Sequence, residues 1–162
     1  MHGTDQEGAQ LAMTTTLDLS TLEKGQEILA VDREITRDTL VRYAGASGDF
    51  NPIHYNDTAA QAAGLPGVLA HGMLTMGMAI APLLDALGDP TRVTAYSTRF
   101  TNPVVVPADG SVTLHVTATV GSIDQEGRTA RIDLTATVDG TAALGRARAT
   151  IALPHTPEGS QA

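Results

Sequence analysis

The sequence predicts an α+β domain in which an antiparallel sheet wraps around a buried apolar helix. Three observations carry this: one strand-like run near the start, an apolar stretch at Gly72–Leu87, and period-two patterning over the strands that follow Pro90. A lone strand followed by helices and then a run of strands fits an antiparallel sheet better than repeated βαβ units.

Taken in order, Ile28–Ile35 reads as the first strand. Thr36 is a good N-cap for a helix over Arg37–Ala46, with Asp38 in its first turn at the positive end of the helix dipole. Ser47-Gly48 breaks that helix. Asp57 or Thr58 caps a short helix that runs to Ala63 and closes at Gly64, and Leu65-Pro66-Gly67 is a turn. The apolar helix starts near His71-Gly72 and ends at Gly88. It is apolar on nearly every side, which in a soluble protein predicts burial all round.

Beyond it, Val112, Leu114, Val116, Ala118 and Val120 alternate with polar residues, as do Ala130, Ile132, Leu134, Ala136 and Val138. These are half-buried antiparallel strands, joined by turns at Asp124–Gly127 and Asp139-Gly140. Val93–Phe100 and Ala143–Leu153 complete the set. Residues 1–16 and 154–162 read as polar tails, so residues 17–153 form a single domain.

Composition narrows the function. A chain of 162 residues with 42% hydrophobic content can bury one real core, built from aliphatic side chains because there is no Trp. It contains no Cys, which removes disulfides, thiolate nucleophiles and Cys-based zinc sites and suits a cytoplasmic protein. The net charge of −8 argues against nucleic acid as a partner. No secretory signal is visible at the start. The apolar stretch is shorter than the roughly 20 residues a membrane span needs, so no membrane partner is expected.

Chemistry concentrates between Tyr43 and Gly72. Asp49 and His54 stand five residues apart on a turn-rich segment that also holds Asn51 and Pro52. An imidazole titrates near neutrality, and a neighbouring carboxylate can orient it or act as a base itself. Pro52 fixes its own φ and pushes Asn51 into an extended conformation, while the Asn51 amide could orient Asp49 or a water. Read alone, such a pair is more often structural than catalytic. Gly72 opens a helix, where its N–H lies at the positive end of the dipole and could polarise a carbonyl oxygen. It could equally be a glycine needed for close packing.

Other motifs fail on inspection. Gly45–Asp49 resembles a G-x-S-x-G elbow but ends in Asp and follows a helix. Asp49-x-Asn51 begins like a calcium loop, yet Ile53 holds the fifth position. No tight metal-ligand spacing links Asp49, His54, Asp57 and His71, so no metal is expected. His2, His115 and His155 read as exposed bystanders.

The run Ser47-Gly48-Asp49-Phe50-Asn51-Pro52-Ile53-His54, with Ala70-His71-Gly72-Met73 after it, resembles the MaoC-like dehydratases and (R)-specific enoyl hydratases. It is most similar to the catalytic B-type subunits of mycobacterial (3R)-hydroxyacyl-ACP dehydratases. The likeness spans roughly Leu19–Leu153. It implies a hot-dog fold and reversible hydration of trans-2-enoyl thioesters, on acyl carrier protein or coenzyme A, to (R)-3-hydroxyacyl thioesters. Carried over, Asp49 and His54 are the acid–base pair, and the Gly72 N–H polarises the thioester carbonyl. Asn51, His71 and Thr75 are supporting or substrate-binding residues. No cofactor is implied, and a homodimer or a heterodimer with a second hot-dog subunit is.

One departure stands out: some (R)-hydratases carry a site Ser on the central helix, and Met78–Ala81 has none. Two rival functions remain. A hot-dog thioesterase would need a carboxylate on the central helix, where only Asp85 is available. A non-catalytic acyl-binding subunit would need neither Asp49 nor His54.

Overall fold

The computed structural model describes residues 16–154, and the two expected tails otherwise lie outside the described residues. Strand β1 (Glu27–Ile35) leads into helix α1 (Arg37–Ser47), and a short 3-10 turn at Pro52–His54 leads into helix α2 (Asp57–Ala62). Helix α3 (Gly72–Leu87) then precedes four strands: β2 (Val93–Phe100), β3 (Val112–Asp124), β4 (Thr129–Val138) and β5 (Thr141–Ala152). The five strands form one antiparallel sheet in the order β1-β3-β4-β5-β2. It curves around α3, which touches β1, β4, β5 and β2.

The period-two patterning places the core. Leu114, Val116, Ala118 and Val120 of β3 lie beside Ile132, Leu134 and Ala136 of β4, all buried on the face toward α3. Ala147, Ala149 and Ile151 extend that face along β5. At Asp139-Gly140 both residues have positive φ, 48° and 75°, which gives the type I′ turn that matches strand twist. Near Ser97–Arg99 and Gly145–Arg146 the pairing of β2 with β5 shifts register, and Arg146 adopts φ 51° at the irregularity.

Thr36 caps α1 as expected: its hydroxyl accepts from the Thr39 N–H, and the Thr39 hydroxyl accepts from the Thr36 N–H. Gly48 ends the helix in the left-handed region at φ 76°, a turn that a side chain would strain, and so delivers the chain to Asp49. The expected cap of α2 is corrected by one residue. Asn56, rather than Asp57 or Thr58, accepts from Ala59 N–H, leaving the Asp57 carboxylate free to pair twice with Arg37 of α1.

Helix α3 is the larger correction. Its buried side is a stripe of Thr75, Ala79, Leu83 and Leu87, spaced four residues apart, with Pro82 beside it. Among the described residues the rest of the helix is only partly covered, and Met73 is 59% exposed. A single five-stranded sheet reaches only part of the way around a helix, which leaves α3 short of the burial all round that its composition predicts. No helix among the described residues is long and apolar enough to cross a membrane.

Candidate active site

The site forms where two irregular segments, 49–54 and 68–72, are tied together. The second segment is itself fixed to the chain before β3: Ala70 N–H donates to the Val104 carbonyl at 2.8 Å, and Val106 N–H to the Val68 carbonyl at 2.9 Å. Leu69 then holds the first segment at two points. Its N–H donates to the Ile53 carbonyl at 3.1 Å, and its carbonyl accepts from Nδ1 of His54 at 2.7 Å. A third tie runs from Nε2 of His71 to the Asp49 carbonyl at 3.1 Å.

Those carbonyls decide the imidazole tautomers, because a carbonyl can only accept. His54 carries its proton on Nδ1 and, when neutral, has a lone pair on Nε2. That nitrogen lies 3.9 Å from Oδ2 of Asp49. The gap is too long for a direct hydrogen bond. It is close to the roughly 4.5 Å that separates two acceptors both bound by one water. His54 is 11% exposed and Asp49 52%, so the pair has a dry side and a wet side. The Asn51 N–H donates to Oδ1 of Asp49 at 3.2 Å, which leaves Oδ2 for the gap.

The remaining residues named from the sequence divide into several roles. Asn51 acts on Asp49 through its backbone, while its side-chain oxygen accepts from the Ile53 N–H and caps the 3-10 turn. Thr75 is buried and donates its hydroxyl to the His71 carbonyl one turn back, at 3.2 Å. It also lines a cavity of about 160 Å³, together with Gly72, Phe100, Asn102 and Leu144.

Gly72 is the first residue of α3. Its cap residue, His71, makes no side-chain capping bond, so the helix start is not closed by a side chain. A Cβ built at Gly72 would approach the Phe100 ring to 3.2 Å, so the backbone here is approached closely from one side already. Asp85 lies exposed toward the far end of α3.

His71 is 1% exposed. Its ring stacks on His54 with centroids 3.8 Å apart and planes 22° from parallel, and it meets the Tyr43 ring of α1 in an edge-to-face contact at 4.8 Å. Burial holds the His71 imidazole below its ordinary value of 6.5. The hydrogen bond to the Asp49 carbonyl opposes this, the nearby His54 adds to it, and the Asp49 carboxylate counters. Its Nδ1 is buried and has no hydrogen-bond partner among the described residues. Asp49, His54 and His71 each offer one donor atom within 4.8 Å of the others, and an ion there would compete for the free Nε2 of His54.

Leu69 acts only through its backbone and carries no plain signal in the sequence. Tyr43, which opens the chemistry-bearing stretch, and Phe100 reach His71 and Gly72 from α1 and β2, and no local spacing reveals those contacts. His115, expected as a bystander, pairs with Asp32 across β1 and β3 at 2.6 Å on the outer face while remaining half exposed.

The MaoC like domain family matches residues 20–139. Over 74 residues the chain is 45% identical to 3-hydroxyacyl-thioester dehydratase X of Mycobacterium tuberculosis, a stretch covering 46% of this chain and 25% of that protein. A solved MaoC-like dehydratase superposes with a TM-score of 0.82 and 34% identity, over 86% of this chain and 43% of that one. The R-hydratase PhaJ1 from Pseudomonas aeruginosa superposes at 0.70 with 26% identity, over 85% and 86% of the two chains. The matched stretches span about a quarter of the length of the first curated relatives. The fold is thus the hot-dog expected from the sequence.

Proposed function

The chain belongs to the MaoC-like family, and on that premise we propose that it is a hydro-lyase interconverting trans-2-enoyl and (R)-3-hydroxyacyl thioesters. The observation that carries this is the 3.9 Å gap between Nε2 of His54 and Oδ2 of Asp49, with His71, which contacts both residues, immediately preceding Gly72 at the open start of α3. Two acceptors facing one point are suited to hold the two hydrogens of a water.

In the hydration direction the water oxygen bonds C3 while its proton passes to the pair. The electrons of the C2–C3 double bond move toward the thioester carbonyl. The Gly72 N–H receives the charge that gathers on that oxygen, in the manner of an oxyanion hole. The pair then returns a proton to C2. Dehydration is the reverse, with C3–O cleaved and water released. Asn51 and His71 act on Asp49 through the backbone, and Thr75 fixes the carbonyl that leads into Gly72.

The acyl group is carried on coenzyme A or on acyl carrier protein. The outer edge of β2 has no partner strand among the described residues, and the apolar side of α3 around Met73 is open. Both features favour pairing with a second hot-dog subunit, another copy or a different chain. The lack of Cys accords with a cytoplasmic place of action. A thioesterase is disfavoured because Asp85, the acidic residue of α3, lies toward the end far from Gly72.

The test follows the conjugated thioester by absorbance while the protein acts on crotonyl-CoA, longer enoyl-CoAs and their carrier-protein forms. Loss of conjugation with formation of the (R)-3-hydroxy product is expected. Unchanged absorbance with every substrate, in the presence of a candidate second subunit as well, would refute the proposal.

A further inference from the structure

His71 has a place that the acid–base chemistry does not itself require. It is among the few buried polar side chains described. One ring contacts both members of the pair: Nε2–H holds the Asp49 backbone at 3.1 Å, and the ring face lies 3.8 Å under His54. Tyr43 also contacts the ring edge-to-face. The carbonyl at Nε2 requires a proton there, and the buried Nδ1 has no acceptor among the described residues to receive one. Only the neutral Nε2–H tautomer fits those surroundings.

We propose that His71 is a positioning residue, a constantly neutral imidazole that fixes the Asp49 backbone with one edge and supports the His54 ring with its face. This rests on the function proposed above for Asp49 and His54. Its consequence is a separation of duties between two touching imidazoles. His54 is free to gain and lose a proton at Nε2, while His71 stays uncharged beneath it. A neutral ring places no charge beneath His54 when His54 is protonated. A charged His71 would repel that proton instead. The groups facing His71 are Tyr43 from α1, His54 from the 3-10 turn, Asp49 from the loop before it, and Thr75 from its own helix through the backbone carbonyl.

The test uses the full chain labelled with 15N-histidine, with ring nitrogens observed by long-range 1H–15N NMR and assigned by loss of signals in His54→Ala and His71→Gln. The expected wild-type result is a His71 ring in the Nε2–H form at pH 7 that remains so at pH 5.5, and a His54 ring in the rarer Nδ1–H form at pH 7. Two variants separate the contacts: His71→Gln keeps a donor toward the Asp49 carbonyl but loses the face, and His71→Phe keeps a face but loses the donor. Each should shift the His54 titration or its tautomer. With an accepted thioester, each should lower kcat roughly 10- to 100-fold with little change in KM.

A His71 that takes the Nδ1–H form, or that becomes charged by pH 5.5, overturns the proposal. So do folded variants in which the His54 signals and kcat match the wild type. The wild-type spectra need no substrate. Failure of the hydratase assay with a normal His71 spectrum would therefore count against the proposed reaction and not against this role.

Discussion

The Leu69 carbonyl lies 2.7 Å from Nδ1 of His54, and this backbone contact selects the nitrogen that faces Asp49. A carbonyl acceptor behind the ring fixes the proton on Nδ1 and turns a basic Nε2 toward the 3.9 Å gap. The contact depends on the bridge between Leu69 and Val105, so strand-like pairing far from the turn sets the chemistry inside it.

Replacement of Asp49 by Asn, or of His54 by Ala, should each lower kcat at least about 100-fold, the range expected for losing a general acid or base. The half-exposed Asp49 should be replaced at little cost to folding, since its Oδ1 contact with the Asn51 N–H can be kept by an amide oxygen. Steady-state rates beside a urea unfolding curve make the check. Near wild-type turnover in either variant removes that residue from the mechanism.

Gly72→Ala separates close approach from packing. The added Cβ would press on the Phe100 ring at 3.2 Å, but that ring is 56% exposed and can turn away. Stability should therefore change by less than about 1 kcal/mol, while a carbonyl is pushed off the helix start. An oxyanion-hole donor contributes about 3 kcal/mol, so kcat should fall roughly 100-fold. A variant that unfolds more easily yet keeps its rate would assign Gly72 to packing alone.

Much of this fold was legible in the sequence because its signals are local. Period-two runs located β3 and β4 and the side of each that is buried, and Thr36, Gly48 and Asp139-Gly140 carry capping and turn chemistry within a few residues. Asp49, His54 and Gly72 were legible as residue types at particular spacings. What the sequence hides is non-local. The stack of His71 on His54, the Tyr43 edge and the Leu69 carbonyl depend on how segments 49–54 and 68–72 dock, and a backbone acceptor has no side-chain signature. The exposed side of α3 misled for a related reason. An apolar helix face reads the same whether its own sheet or a second chain is to cover it.

The buried state of His71 links folding to pH. Its folded-state value is depressed below the ordinary 6.5, so the unfolded chain binds this proton more readily than the folded one. Stability from this group is then fully present above about pH 6.5 and falls as pH drops toward the depressed folded-state value. Urea midpoints measured at pH 7.5 and pH 5.5 should decline in the wild type, and His71→Gln should decline less. Equal slopes for the two proteins would place the pH dependence elsewhere.

Leu83 offers a check on the packing of α3 that is independent of chemistry. It is fully buried on the stripe facing the sheet, one residue after Pro82, whose ring cannot donate the backbone bond a helix interior uses. Packing must therefore hold the helix together across that point. Leu83→Ala removes most of a core side chain and should cost about 2–5 kcal/mol. A lower urea midpoint with an unchanged slope is the expected result. Met73→Ala, on the exposed side of the same helix, should leave the midpoint of an isolated chain nearly unchanged. If Met73→Ala instead destabilises the protein, and more so at higher protein concentration, that side is covered by a second subunit in solution.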